Sequence, residues 1–191
     1  MKLLLVNSKN KIPEDYKPEL AEVTGGYYLT KDAAAAMKKM ICAALDDGIE
    51  LRVFSAYRSI EYQQGLFDED MRKYIMQGYS GTEAYDMTAK GVAVPGYSEH
   101  NAGVAADIST MNWKGDISER FDKTPEFAWL CENACKFGYI LRYPKGKESI
   151  TGIQYEPWHY RYVGLPHSIY ISNQRITLEE YLRFSSCCCK K

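Results

Sequence analysis

The residues in this chain best suited to chemistry are two histidines and two carboxylates in two distant stretches. His100 and Asp107 lie in YSEHNAGVAAD, and Glu156 and His159 lie in EPWHYRYV. Imidazoles with a carboxylate make the protein shell of a catalytic zinc ion. A further acid beside the ion can take a proton from an attacking water and return it to a leaving amine. Such a set would hydrolyse an amide, provided that the two stretches meet in space.

Spacing sets two geometric demands. If Val104 to Ile108 is a strand, period two puts Gly103, Ala105 and Asp107 on a face bare enough to admit an ion. Val104, Ala106 and Ile108 then form an apolar face for a core. His100 and Asp107 are an odd number of positions apart, so Asn101, Ala102 and Gly103 must turn the chain if both are to address one ion. Glu156 and His159 pose the same problem. Pro157 cannot donate to a ladder and holds its predecessor extended, which predicts a bend before a strand beginning near Trp158. Trp158, between Glu156 and His159, is placed near the site by that position.

The supporting elements follow from caps and periodicity. Thr30 can cap a helix from Lys31 to about Asp47, with Met37, Met40, Ile41 and Leu45 at helical spacing and Gly48 as the stop. Leu51 to Ala56 reads as a strand, and Ser59 as the cap of a helix to about Met76. Arg58 therefore sits at a strand-to-helix junction and Gln63 one turn beyond, so that both can face one mouth. Gly78 to Gly96 reads as a loop holding a short helix around Glu83 to Ala89. Ser118 to Phe137 reads as a helical region, with Thr124 and Pro125 in cap and first-turn places and Phe127, Leu130, Cys131 and Ala134 on its buried stripe. Tyr139 to Tyr143 and Ile153 to Tyr155 read as strands joined by a charged loop. Pro166 can begin a helix, and Thr177 with Glu180 makes a capping box for a last one. The sum is a single α+β domain over residues 1–185, an antiparallel β-sheet with helices packed on it, followed by a frayed Cys/Lys tail at 186–191.

Composition narrows the function. At 191 residues and 46% hydrophobic, the chain suits one domain with a real core. A net charge of −1 and the lack of a basic run argue against nucleic acid and anionic membrane as partners. Leu3 to Val6 is too short an apolar run for a signal sequence or a span. A cytoplasmic form is therefore expected; the alternative is the cell-wall face, if a leader or anchor has been removed. Cys42, Cys131 and Cys135 read as small buried apolar groups, and the adjacent thiols of Cys187, Cys188 and Cys189 suit a reducing compartment. His167 lies outside both stretches and is read as structural or solvent-facing, because three protein ligands suffice and a fourth would close the water position.

The wording of the stretches is more specific than their spacing. SEHNAGVAAD and FGYILRYPKGKESITGIQYEPWHYRYVG, with VNSKNKIPEDYKPEL near the start, SAYRSIEYQ, and TLEEYL near the end, are spread over nearly the whole chain. Together they resemble the D-alanyl-D-alanine carboxypeptidases and dipeptidases of the VanY and VanXY type, zinc peptidases of bacterial cell-wall metabolism and vancomycin resistance. The resemblance implies the same architecture, one Zn2+ held by His100, Asp107 and His159, and Glu156 as the catalytic acid/base. Arg58 and Gln63 match the substrate-contacting Arg and Gln of the family, with Arg58 steadying the scissile carbonyl or its oxyanion, and Ser98 matches the Ser of its SEH element. Asn101 stands where the family more often has Gln, and Tyr97 where a smaller residue is usual, so the pocket wall is expected to differ while the ligands do not. The implied partner is a peptidoglycan stem peptide or precursor ending in D-alanyl-D-alanine. The free dipeptide, a tetrapeptide cut between an L- and a D-centre, and a non-catalytic zinc-containing module that binds cell-wall peptide are the alternatives.

Overall fold

A computed structural model describes residues 3–113 and 118–188, with side chains described to residue 184. Strands β1 (Leu20–Thr24) and β2 (Tyr27–Thr30) form a hairpin leading into helix α1 (Lys31–Asp46). Then come β3 (Leu51–Ser55), α2 (Ile60–Met76), α3 (Gly81–Gly91), a 3-10 turn at Glu99–Ala102 and β4 (Ala105–Thr110). Next are a 3-10 turn at Glu119–Lys123, α4 (Pro125–Asn133), a further 3-10 turn at Ala134–Phe137 and β5 (Tyr139–Tyr143). The short α5 (Glu148–Thr151), β6 (Glu156–Tyr162), α6 (His167–Gln174) and α7 (Leu178–Cys188) complete the order.

The main sheet runs β3-β4-β6-β5, each neighbouring pair antiparallel. Its strand β4 is buried along its whole length. Ala106 and Ile108 pack into the main core with Met37, Met40 and Ala44 of α1 and with Tyr160 of β6, while the alternate residues Ala105, Asp107 and Ser109 face the other way. Full burial of side chains such as Met37 and Ile108 contributes about 1.5–3 kcal/mol each. Because that face is anchored, a register slip by one residue would turn Asp107 into the core, and the pairing is fixed accordingly.

Several expectations need correction. The hairpin β1–β2 was not anticipated. Strand β6 begins at Glu156 and contains Pro157, so the expected bend does not precede the strand but lies within it, and Ile153 to Tyr155 is not a strand. The loop helix is longer than expected, because Ser80 and Glu83 form a capping box that starts it at Gly81. The helical region expected from Ser118 to Phe137 consists of α4, capped at Thr124 and starting at Pro125 as expected, flanked by two 3-10 turns. Cys42 and Cys131 are exposed and Cys135 is half-buried; Leu130 is buried on α4 as expected, and Trp129 rather than Cys131 is buried beside it. Thr30 stands before α1 without a side-chain cap bond. Ser59, Thr124 and the Thr177–Glu180 pair cap as predicted. Of the expected tail at 186–191, residues 189–191 lie outside the described residues and the rest lack described side chains. Among the described residues, no helix is long and apolar enough to cross a membrane.

Candidate active site

The sheet register places the first pair of functional side chains. Asp107 on β4 stands directly opposite His159 on β6, and cross-strand partners send their side chains to the same face about 5 Å apart. Gly103, in the left-handed region at φ +65°, ends the 3-10 turn and swings the chain from His100 into β4, resolving the first parity conflict. An irregularity in β6 resolves the second. Leu141 pairs with Tyr160 and Tyr143 with Glu156, so two steps on β5 oppose four on β6. This surplus contains Pro157, whose missing N–H suits an unpaired position, and it brings Glu156 round to the side of His159.

The geometry that results is tight. His100 Nε2 lies 3.3 Å from Asp107 Oδ2, and His159 Nδ1 lies 3.1 Å from Asp107 Oδ1 and 3.6 Å from Glu156 Oε2. His100 Nδ1 donates to the Ala56 carbonyl at 2.7 Å, leaving Nε2 as the free donor atom; His159 uses Nε2 toward Glu99 at 3.4 Å, leaving Nδ1. The two rings meet edge to face with centroids 4.9 Å apart, and Tyr143 lies against His159 at 4.8 Å.

The donor set fits a metal ion. His100, Asp107 and His159 are all buried, and one donor atom from each lies within 4.8 Å of the others. Asp107 Oδ1 is buried and has no hydrogen-bond partner. With the His159 proton on Nε2, Nδ1 and Asp107 Oδ1 are two acceptors face to face, an arrangement that calls for a cation between them. A proton fills that need when no metal does. Burial works against charge on His159, but the Asp107 and Glu99 carboxylates outweigh it and push the imidazole up to about 9. Burial likewise opposes ionisation of Asp107, yet His100 and His159 hold its carboxyl well below the ordinary carboxylate range. Burial keeps His100 below its usual value against the pull of Asp107.

Glu156 is different. Burial pushes its carboxyl up to about 7, partly offset by His159. A carboxylate so placed can both accept and release a proton near neutrality.

All the residues expected at the site line one cavity of about 350 Å³. Arg58 Nη2 donates to Asp107 Oδ2 at 2.9 Å and to Ser55 Oγ at 2.7 Å. Gln63 Oε1 accepts from Arg58 at 3.5 Å while its Nε2 donates to the Ala93 carbonyl, tying α2 to the segment after α3. Ser98 accepts from the His100 N–H, and Trp158 forms part of the wall. Asn101, the departure from the family wording, is buried; it donates to the Arg58 carbonyl and accepts from the Gly96 N–H, holding the loop that carries Ser98 and His100. His167 lies away from the site and bonds to the Tyr181 hydroxyl.

Sequence reasoning missed Glu99. It is fully buried beside His159 and held by Arg142 and Arg161. Its place next to His100 in SEH was the available signal, but nothing in the spacing pairs it with arginines some forty and sixty positions away.

The chain matches the family model described as VanY: D-alanyl-D-alanine carboxypeptidase over residues 26–165. The chain belongs to this family. It is 39% identical to a D-alanyl-D-alanine carboxypeptidase of Enterococcus faecalis over 94% of its own length and 65% of that protein's. It spans 66% and 57% of two further relatives, so it corresponds to roughly two thirds or less of these proteins. Among solved structures, VanY from a VanB-type resistance cassette in complex with Zn(II) matches with a TM-score of 0.82 at 39% identity, covering 93% of this chain and 97% of that one. VanYB in complex with D-alanine-D-alanine matches at 0.84 and 38%, covering 94% and 96%. The LD-carboxypeptidase LdcB matches at 0.82 and 38%, covering 94% and 84%. The α+β architecture of this VanY-family chain is thus that of its zinc peptidase neighbours.

Proposed function

We propose that the chain is a zinc-dependent carboxypeptidase that releases the C-terminal D-alanine from peptidoglycan precursor peptides ending in D-alanyl-D-alanine. The observation that carries this reading is the convergence of a buried His100–Asp107–His159 donor set on a carboxyl, Glu156, raised to about 7 by burial. A zinc ion held by these three residues would supply Lewis-acid polarisation of the scissile carbonyl and acidify a water. Glu156 Oε2, 3.6 Å from His159 Nδ1, borders that position without being needed as a ligand. Its carboxylate accepts the proton of the attacking water and returns it to the departing amine. Arg58 turns a permanently charged guanidinium into the cavity, suited to the oxyanion that develops on the carbonyl. Gln63 steadies Arg58, and the Ser98 hydroxyl and Trp158 wall hold the peptide end.

A purely structural zinc would close its fourth position with another strong ligand and would have no use for a titratable acid beside it. The free thiols of Cys42, Cys131 and Cys135 support a reducing, cytoplasmic setting over the cell-wall face. The test is D-alanine release from a muramyl pentapeptide, run beside the dipeptide and a tetrapeptide, with chelator and after zinc is restored. The expected result is release from the pentapeptide that the chelator abolishes and zinc restores. Release unaffected by chelator, or cleavage of the tetrapeptide or dipeptide alone, would overturn the assignment.

A further inference from the structure

We propose that Glu99 is a positioning residue for the metal ligand His159, and that the buried charge cluster behind it ties segments on either side of residues 26–165 to the metal site. The proposal rests on the metallopeptidase reading above. Glu99 is 1% exposed and opens the 3-10 turn that carries His100. Its Oε1 accepts from Arg142 Nε at 2.7 Å and from Arg161 Nη1 at 2.6 Å. One oxygen is thereby saturated by two fixed guanidiniums, and the other, Oε2, is left facing His159 Nε2 at 3.4 Å.

A carboxylate behind a ligating imidazole fixes its tautomer and ring plane and strengthens its other nitrogen as a donor. His100 receives only the first part of that service, from the Ala56 backbone carbonyl, which no side-chain substitution removes. The two ligands are therefore unequal, and the Glu99–His159 contact is the one open to mutation.

The clamp on Glu99 has its own supports. Arg142 donates to both oxygens of Glu179 on α7, at 2.9 and 2.6 Å, and Asn7 Nδ2 donates to Glu179 Oε1 at 3.1 Å. Arg161 donates to the Leu4 carbonyl at 2.6 Å. Leu4, Asn7 and Glu179 all lie outside the family-matched residues 26–165. Burying two carboxylates with two guanidiniums is no efficient route to stability, since apolar replacements of similar volume often do as well. A hydrophobic cluster could fill the same volume. It could not present an anionic oxygen to His159.

Two variants of the full chain test this. Glu99→Asp keeps every charge and withdraws the carboxylate by one methylene. Glu99→Gln with Arg161→Gln removes one charge of each sign and leaves the Arg142–Glu179 pair intact. Metal-free protein of each, its fold checked by thermal melting, is titrated with zinc against a chromophoric chelator, and the visible spectrum of the cobalt-substituted form is recorded. Both variants are expected to bind zinc about 10–100-fold more weakly than wild type and to show an altered cobalt spectrum. Zinc affinity within about twofold of wild type and an unchanged cobalt spectrum in a folded variant would make Glu99 merely structural and overturn the proposal. Failure of the metallopeptidase reading is distinguishable, because wild type itself would then take up no stoichiometric zinc, and the proposal would fall with it.

Discussion

Glu156 is held at a cost to the fold, and Glu156→Gln should expose that cost. In the unfolded chain its carboxyl titrates near 4.5, whereas burial raises it to about 7 in the native state. Below 4.5 both states are protonated and the residue costs nothing. As pH rises from 4.5 toward 7, the unfolded chain ionises while the native carboxyl stays protonated, so stability falls across that window. Above 7 the loss is complete and, at about 1.4 kcal/mol per pH unit, comes to about 3 kcal/mol. The glutamine variant has nothing to titrate. Urea unfolding of metal-free protein should find Glu156→Gln more stable than wild type by about 3 kcal/mol at pH 8 and by under about 1 kcal/mol at pH 5. The same substitution should lower D-alanine release by about 10²-fold or more while zinc stays bound. An equal stability gain at both pH values, or none at either, would refute the burial argument, and near-normal turnover would refute the assigned role.

Arg58→Ala should reduce turnover by about 10²–10³-fold with zinc retained, as measured by release kinetics beside metal analysis. Because His159 stands at about 9 in the metal-free site, it carries a proton at pH 7 that zinc must displace. Apparent zinc affinity should therefore rise with pH up to about 9, and calorimetry in buffers of different ionisation enthalpy should detect the released proton. Gly103→Ala forces a side chain into φ +65° and sets a Cβ 3.0 Å from Leu20 Cδ2. It should cost about 1–2 kcal/mol in unfolding experiments and weaken zinc binding, since Gly103 joins His100 to β4.

The parity of the motif residues was informative because strand geometry is rigid. Odd separations of His100 from Asp107 and of Glu156 from His159 demanded a turn and an irregularity, and both exist. Where the second irregularity falls was not legible: a proline reads as a strand breaker, but here it sits inside β6 among residues the partner strand leaves unpaired. Caps were readable at Ser59 and Thr124 because they are local hydrogen-bond chemistry. The exposure of Cys131 was not, because which neighbour of the buried Leu130 on α4 turns inward depends on the core it meets, and Trp129 took that space. The β1–β2 hairpin turns at Gly25-Gly26, but its strands of five and four residues are too short for that glycine pair alone to mark a hairpin in the sequence. Least legible was the Glu99 cluster, whose charges come together only through tertiary contacts, as with Arg142 and Glu179, and which in sequence look like ordinary surface ions.

The most direct test is an anomalous difference map at the zinc absorption edge from crystals grown with zinc. The expected result is one peak about 2.0–2.3 Å from His100 Nε2, an Asp107 oxygen and His159 Nδ1, with Glu156 outside coordination distance. A map with no peak among these three side chains, or one in which Glu156 is itself a ligand, would contradict the account.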